Sequence, residues 1–313
     1  MVRNCTCNIQ KISFPHIQEA TRAVFLRLVI DANLDSLVNA PYRPQLTQAA
    51  RPLTFTVDAR NERGETEATS IAGEHPLTLY VDKREIVTLM TLGGAPEALA
   101  IGYLRNQRLV DRLENVQSVQ VDWEANAVVV LTRTGLKDAE RKMGKRTVTT
   151  GCGQGTVFGE LMEEIDKVLL PAEAALSEAD FFGLLEAVRK RETIYKQAGA
   201  VHGCALCKGA EILMFVEDVG RHNAVDAIAG QMWLDGIDGG DKVFYTTGRL
   251  TSEMVIKCAQ MGIPILVSRS GLTHMGYEIA QKVGLTMIGR ATGKHYLLFT
   301  GHSRFKKHVT SDR

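Results

Sequence analysis

The sequence lacks an excess of charge of either sign. Its 37 lysine and arginine residues are balanced by 36 aspartate and glutamate residues, which leaves a formal net charge of +1 at pH 7. A nearly neutral chain has no global electrostatic field that would attract nucleic acid or an acidic membrane surface. An anionic partner must therefore be bound by a local site, and we expect no nucleic-acid partner.

Long apolar runs are also missing. A membrane-spanning helix needs about 20 consecutive apolar residues, and the best early candidate, residues 23–30, is interrupted by Arg27. No signal-peptide core precedes a small-residue cleavage site. We therefore predict a cytoplasmic protein without a membrane partner. Its six cysteines are then expected to be thiols, metal ligands or reactive groups rather than a disulfide framework.

The remaining composition is that of a globular protein. Hydrophobic residues make up 45% and charged residues 23% of the 313 residues, enough to bury a sizeable core in one large or two ordinary domains. Residues 1–52 carry the weakest signal of order, because prolines punctuate their second half and Cys5 and Cys7 have no nearby second cysteine pair. We predict a weakly ordered N-terminal extension over residues 1–52.

Residues 53–147 alternate with the period of strands around one helical segment. We predict a turn over residues 61–64, a helix over residues 96–106 and strands over residues 53–57, 77–81, 85–90, 116–123 and 127–132. This half is expected to form a small α+β domain.

A glycine-rich segment, residues 149–156, follows a basic run over residues 141–146 and holds Cys152 between two glycines. Glycine accepts backbone conformations that other residues avoid, so such a loop can present a sulfur atom to two partners in turn. Positive charge and the start of a helix predicted over residues 156–170 would stabilise the reactive thiolate. The alternative is a surface loop with an incidental cysteine.

Residues 148–313 contain the order ααββαβαβαββ, which predicts a three-layer α/β/α domain with a largely parallel inner sheet. A second helix is predicted from a cap at Ser177 to Gly199. Further helices are expected over residues 223–233, 251–261 and 274–283. The predicted strands cover residues 201–206, 212–216, 242–246, 264–268, 285–288 and 296–300.

Three strand-to-helix loops of this domain, residues 217–223, 246–253 and 268–273, each contain an arginine. Ligands of such sheets bind at the carboxyl ends of the strands, where helix N-termini favour phosphate. Three loops in register suggest a large ligand that carries several phosphates. Ordinary turns with solvated arginines are the alternative.

A zinc site could be formed by His202, Cys204 and Cys207, which are close in the sequence. Side chains alternate across a strand, so Cys207 would lie on the opposite face from His202 and Cys204. A tetrahedral site would also need a fourth ligand. We therefore favour structural cysteines in the strand.

The segments Glu217-Asp-Val-Gly-Arg-His-Asn-Ala-Val-Asp226, Thr247-Gly-Arg-Leu-Thr-Ser-Glu253 and Ser268-Arg-Ser-Gly-Leu-Thr273 resemble the FdhD family of formate dehydrogenase accessory sulfurtransferases. Residues 74–77 and 99–103 also resemble family segments. The resemblance covers roughly residues 53–302, and its first segment is highly specific.

This resemblance implies a cytidine-deaminase-like catalytic domain, a homodimer and a sulfur-carrying role. A cysteine desulfurase would pass persulfide sulfur to Cys152, which would deliver it to the bis-molybdopterin guanine dinucleotide molybdenum cofactor for formate dehydrogenase. No structural metal is expected. The residues expected to contact the cofactor are Arg221, His222, Asn223, Thr247, Gly248, Arg249, Ser252, Ser268, Arg269, Arg290, Ala291, Thr292, Gly293, Lys294 and His295.

The chain departs from the family at two places. The family loop often carries Cys-x-x-Cys, whereas Gly155 occupies the second position here. A deaminase needs His-x-Glu, whereas Cys204 stands where the glutamate would be, so we expect no deamination. Three hypotheses follow: sulfur transfer through Cys152, a non-enzymatic cofactor chaperone with an idle Cys152, and a zinc hydrolase.

Overall fold

The computed structural model describes residues 42–136, 147–148, 155–156, 165, 167–191 and 193–307, which belong to one compact unit, Tyr42–Arg313. The predictions for Cys152, for most of the N-terminal extension and for most of the helix before Pro171 lie outside these residues. The predicted domain boundaries therefore stay predictions.

The first half of the chain forms a mixed five-stranded sheet and a single α-helix within residues 42–136. Its elements are β1 (Gln45–Leu46), β2 (Thr54–Arg60), β3 (Thr66–Ala72), β4 (His75–Val81), β5 (Arg84–Thr91), α1 (Pro96–Asn106), β6 (Val116–Asp122) and β7 (Ala127–Thr132). The sheet has the strand order β1-β6-β7-β4-β5. The predicted strands and the helix that begins at Pro96 are confirmed, whereas β1 and β3 were not predicted.

Strands β2 and β3 form a separate antiparallel hairpin. At its turn Asn61 Oδ1 accepts hydrogen bonds from the backbone N–H groups of Arg63 and Glu65. Gly64 has φ +78°, a left-handed conformation that glycine adopts without steric cost. The predicted turn over residues 61–64 is therefore confirmed.

The second half forms a six-stranded sheet with the order β12-β11-β13-β14-β15-β16. Strands β13, β14 and β15 are parallel, and the remaining pairs are antiparallel. The elements are β8 (Thr147–Val148), β9 (Gly155–Thr156), β10 (Leu176–Ser177), α2 (Glu178–Arg191), α3 (Ile194–Ala198), β11 (His202–Lys208), β12 (Glu211–Asp218), α4 (Arg221–Leu234), β13 (Val243–Thr246), α5 (Ser252–Gln260), β14 (Ile265–Ser268), α6 (His274–Lys282), β15 (Thr286–Thr292), β16 (His295–Thr300) and β17 (Phe305–Lys306).

Helices cover both faces of this sheet. On one face Leu206 and Phe244 pack with residues of α4, α5 and α6, including Met254. On the other face Phe181 of α2 packs against Val243 and other strand residues. Full burial of one large apolar side chain contributes about 1.5–3 kcal/mol, so these two clusters hold the three layers together. The prediction of a mixed α/β class is confirmed, and none of the helices in the described ranges is long and apolar enough to cross a membrane.

The prediction of one helix from Ser177 to Gly199 is wrong. Helix α2 ends at Arg191, and α3 is a separate short helix that ends at Ala198 and is followed by Gly199 as its C-cap. The Glu217 carboxylate accepts hydrogen bonds from the backbone N–H groups of Thr193, Ile194 and Tyr195. This contact with a residue 22–24 positions away starts a new helix, and no local sequence pattern encodes it.

The two sheets are joined by a close crossing of α1 and α4. A Cβ atom on Gly102 would lie 1.6 Å from the backbone oxygen of Asp226, and one on Gly230 would lie 1.9 Å from that of Ala98. Arg105 of α1 donates a hydrogen bond to the backbone oxygen of Ala229, 2.7 Å away. The backbones approach this closely only because both positions are glycine.

Candidate functional site

The loops that follow β13 and β14 run side by side at the carboxyl ends of the parallel strands. Leu250 and Leu272 form a parallel bridge, and the Leu250 N–H donates a hydrogen bond to the backbone oxygen of Gly271 over 3.0 Å. Ser268 Oγ donates to the backbone oxygen of Gly248, 2.6 Å away. Ser268 is therefore buried between the two loops and fixes one loop to the other.

Arg221 begins α4 and packs directly on the β13 loop. A Cβ atom on Gly248 would lie 2.7 Å from Arg221 Cδ, so a side chain at position 248 would displace the arginine. Arg221 is buried, whereas Arg249, next to Gly248 in the same loop, is exposed. The absence of a Cβ atom at Gly248 thus allows Arg221 to come close to the loop that carries Arg249.

His202, on the neighbouring strand β11, lies within the electrostatic field of all three predicted arginines. Burial lowers the pKa of His202, and the charges of Arg221, Arg269 and Arg249 lower it further. Its Nδ1 atom lies 3.3 Å from Thr247 Oγ1, and the Gly203 N–H donates to the same hydroxyl. The three arginines predicted from separate loops therefore converge near one neutral histidine.

Arg269 also contacts an aromatic ring. Its guanidinium carbon lies 4.8 Å from the centre of the Tyr195 ring, a cation–π distance. Tyr195 belongs to α3, whose N-terminus is fixed by Glu217. Helix α3, which the sequence predicted only as the end of one longer helix, thus positions the third arginine through Tyr195.

Asn223 has partners on two strands. Its Nδ2 atom donates to Asp218 Oδ1 over 2.8 Å and to the backbone oxygen of Met90 over 2.6 Å. Asp218 also accepts hydrogen bonds from Thr91 Oγ1 and the Leu92 N–H, which connect β12 to the end of β5. Burial raises the pKa of Asp218, although these hydrogen bonds oppose the rise. Asn223 therefore supports the site by holding the turn before α4.

His222 lies in a buried charged cluster beneath the arginines. Its Nε2 atom is 3.3 Å from Glu253 Oε2, and Glu253 Oε1 is 3.6 Å from Lys257 Nζ. Lys257 Nζ is 2.8 Å from Asp226 Oδ2, and Asn106 of α1 donates to Asp226 Oδ1 over 2.7 Å. Sequence reasoning did not identify this cluster. Its signal was present as charged pairs four residues apart, His222 with Asp226 and Glu253 with Lys257, within largely apolar helices.

The segment from Arg290 to His295 lies at the end of the sheet. The Arg290 N–H donates to the backbone oxygen of Ser270 over 2.9 Å, so its main chain contacts the β14 loop. Ala291 is buried, whereas Thr292 at the end of β15 and Gly293 in the turn that follows are exposed. Lys294 and His295 line a different groove of about 620 Å³, together with His302 and Phe305. Ser252 is half-buried at the start of α5.

Cys204 and Cys207 lie in two different hydrophobic clusters on opposite faces of β11. Burial raises the pKa of each thiol to about 12. Among the described residues no group of three His, Cys, Asp or Glu side chains is arranged to hold a metal ion. The zinc-hydrolase hypothesis fails here because its two cysteines cannot reach one ion.

Comparison with known proteins points to one family. The model of the FdhD/NarQ family matches residues 72–306. The sulfur carrier protein FdhD of Listeria monocytogenes is 30% identical over 238 residues, which cover 75% of this chain and 91% of the relative. The protein of the same name from Bacillus subtilis is 26% identical over 251 residues, which cover 79% of this chain and 95% of that protein.

A solved structure supports the same family assignment. The crystal structure of a protein from Desulfotalea psychrophila, described as a candidate formate dehydrogenase accessory protein, superposes with a TM-score of 0.65 at 26% identity. The superposition covers 81% of this chain and 100% of that one. The chain belongs to the FdhD/NarQ family.

Proposed function

We propose that this protein is a sulfurtransferase that accepts persulfide sulfur on Cys152 from a cysteine desulfurase and carries it to the bis-molybdopterin guanine dinucleotide cofactor used by formate dehydrogenase. The names of its relatives support sulfur carriage, and the description of the Desulfotalea protein supports the link to formate dehydrogenase. The cofactor is cargo in this scheme.

The observation that carries the proposal is that Arg221, Arg249 and Arg269 come from adjacent loops, which are in contact at Gly248 and at the bridge between the β13 and β14 loops, and that all three lower the pKa of His202. A cofactor with two pyrophosphate groups needs several fixed cations, and arginine binds phosphate in a defined geometry. Thr247 contacts His202 and Gly248 lies against Arg221, while the main chain of Arg290 contacts the adjacent loop. A largely buried arginine such as Arg221 also gains more from an anion than an exposed one.

The sulfur-loading step is a thiol–disulfide type exchange. The Cys152 thiolate attacks the outer sulfur of the desulfurase persulfide and forms a new S–S bond. The original S–S bond breaks, and the desulfurase cysteine leaves as a thiolate. Strands β8 and β9 pair at Val148 and Gly155, so Cys152 lies in the sequence between two paired strands.

Mass spectrometry tests this proposal directly. The full chain is incubated with a cysteine desulfurase and cysteine, and we expect one added sulfur atom on Cys152. Cys152→Ala should lose the sulfur yet still bind the cofactor. An unmodified Cys152 in a protein that binds the cofactor would contradict sulfur transfer and support the chaperone hypothesis.

The fold-level proposals are a cytidine-deaminase-like layering and a homodimer in the cytoplasm. The strand order of the six-stranded sheet and the helices on both of its faces support the layering. Analytical ultracentrifugation of the full chain tests the dimer, for which a purely monomeric sedimentation coefficient would be contrary evidence.

A further inference from the structure

The buried cluster beneath the arginine loops contains more acidic than basic side chains. Asp226 and Glu253 supply two carboxylates, whereas Lys257 supplies one ammonium group, and all three are buried. Burial opposes the charge on Lys257, but Asp226 and Glu253 together raise its pKa. Burial raises the pKa of Asp226, and the contacts with Lys257 and Asn106 oppose that rise. With both carboxylates ionised and His222 neutral, the cluster carries a net charge of −1, which is costly inside a protein unless other charges offset it.

His222 is the neutral member of this cluster and can gain a charge by accepting a proton. Its side chain is 2% exposed, and Nε2 lies 3.3 Å from Glu253 Oε2. Nδ1 is buried and has no hydrogen-bond partner among the described residues. In the neutral ring Nε2–H donates to Glu253, so a second proton would bind at Nδ1.

Burial, assisted by nearby cations, keeps His222 neutral in the free protein. Burial lowers its pKa well below the usual value, and Lys257, Arg221, His202 and Arg249 lower it further. The same arginines offset the negative charge of the cluster. An anion bound to Arg221 and Arg249 would cancel much of their field, so that the cluster charge would favour an imidazolium at His222.

We propose that Glu253, held by Lys257, positions His222 to take up one proton from solvent when a phosphate-bearing ligand binds at the arginine loops. This inference rests on the proposed function only for the location of the anion site. Glu253, Lys257 and Asp226 are positioning residues in it, because they act on the ligand through His222. Proton uptake restores a neutral cluster and adds a positive charge beside the ligand.

Isothermal titration calorimetry with inorganic pyrophosphate and the full chain tests the inference. Titrations near neutral pH in buffers with different ionisation enthalpies give the number of protons exchanged on binding. We expect the wild type to take up close to one proton, with pyrophosphate affinity rising by up to about tenfold for each pH unit lowered. His222→Gln and Glu253→Gln should each lose most of this uptake.

His202 is the rival proton acceptor, because it is half-buried near the same arginines, although its ring contacts the Thr247 hydroxyl rather than a carboxylate. His202→Gln should retain the uptake. The inference is overturned if the wild type exchanges no proton, if it does not bind pyrophosphate, or if His202→Gln loses the uptake while Glu253→Gln keeps it.

Histidine-labelled NMR of the wild type covers the case in which Glu253→Gln does not fold. Pyrophosphate should shift the His222 ring nitrogens toward imidazolium values, whereas a change confined to His202 would overturn the inference. A failure of proton uptake can be distinguished from a failure of sulfur transfer, because persulfide formation on Cys152 is measured independently by mass spectrometry.

Discussion

Gly102 and Gly230 face each other where α1 crosses α4, and each lies against the main chain of the other helix. A Cβ atom at either position would overlap a backbone oxygen, which cannot rotate away as a side chain can. The contact therefore fixes the distance between the two sheets as well as the two helices.

We predict that Gly102→Ala and Gly230→Ala each lower the free energy of unfolding by at least about 1–3 kcal/mol, because the helices must separate. Urea denaturation measures the change. Gly271→Ala is the matched control, since its added Cβ atom meets open space. Equal stability of all three variants would show that the crossing tolerates a methyl group.

Removal of any of the three arginines should weaken anion binding. Hydrogen bonds to charged groups contribute about 1.5–3 kcal/mol, so Arg249→Ala should lower pyrophosphate affinity by roughly 10- to 150-fold. Arg43→Ala is the control, because Arg43 is an exposed arginine that pairs with Asp235. If both variants bind like the wild type, the arginine loops are not the anion site.

Stability should decrease in acid because His222 is harder to protonate in the folded state. Its pKa is lowered from 6.5, so the unfolded chain binds more protons once the pH falls below that value. The contribution of His222 to the free energy of unfolding is therefore fully present above pH 6.5. It is lost progressively below that pH, by up to about 1.4 kcal/mol per pH unit. Urea denaturation across this range should show a shallower loss in His222→Gln.

The buried cysteines should not react in the native protein. Burial raises the pKa of Cys204 and Cys207 to about 12 and that of Cys258 well above its usual value, so their thiolates are scarce. Alkylation with iodoacetamide followed by peptide mass spectrometry should leave these three unmodified while Cys152 reacts. Modification of all of them in urea confirms that the reagent can detect them.

The stability of helix α3 should depend on the Glu217 carboxylate. The carboxylate accepts four hydrogen bonds from residues 193–195, so Glu217→Ala removes the cap and about 0.5–2 kcal/mol of local stability. Hydrogen exchange of residues 193–198 should accelerate in that variant. Glu217→Gln keeps one acceptor oxygen and should show a smaller effect, and unchanged exchange in Glu217→Ala would refute the capping role.

Local sequence patterns were sufficient to predict most of the helices and strands and the three loops that carry the arginines. Alternation marks Leu77, Leu79 and Val81 on β4, and the residues that converge near His202 all follow strands. Contacts between residues that lie far apart in the sequence could not be predicted from it. Glu217 starts helix α3 although it lies 22–24 residues away in the sequence, and Lys257 is a charged residue whose burial depends on Asp226 from a different helix. Charge in a sequence ordinarily indicates solvent exposure, so such pairs are misread until the helices are packed.

The crossing of α1 and α4 has a consequence for how this protein can be divided. Asn106 at the end of α1 holds the carboxylate of Asp226, and Gly102 lies against the main chain of the same residue. A shortened chain that began after β7 would leave that carboxylate without its amide donor and would expose the α4 glycine to water. The amino-terminal sheet thus completes the buried cluster beneath the arginine loops, and we expect the second half of the chain to be unstable when it is expressed alone.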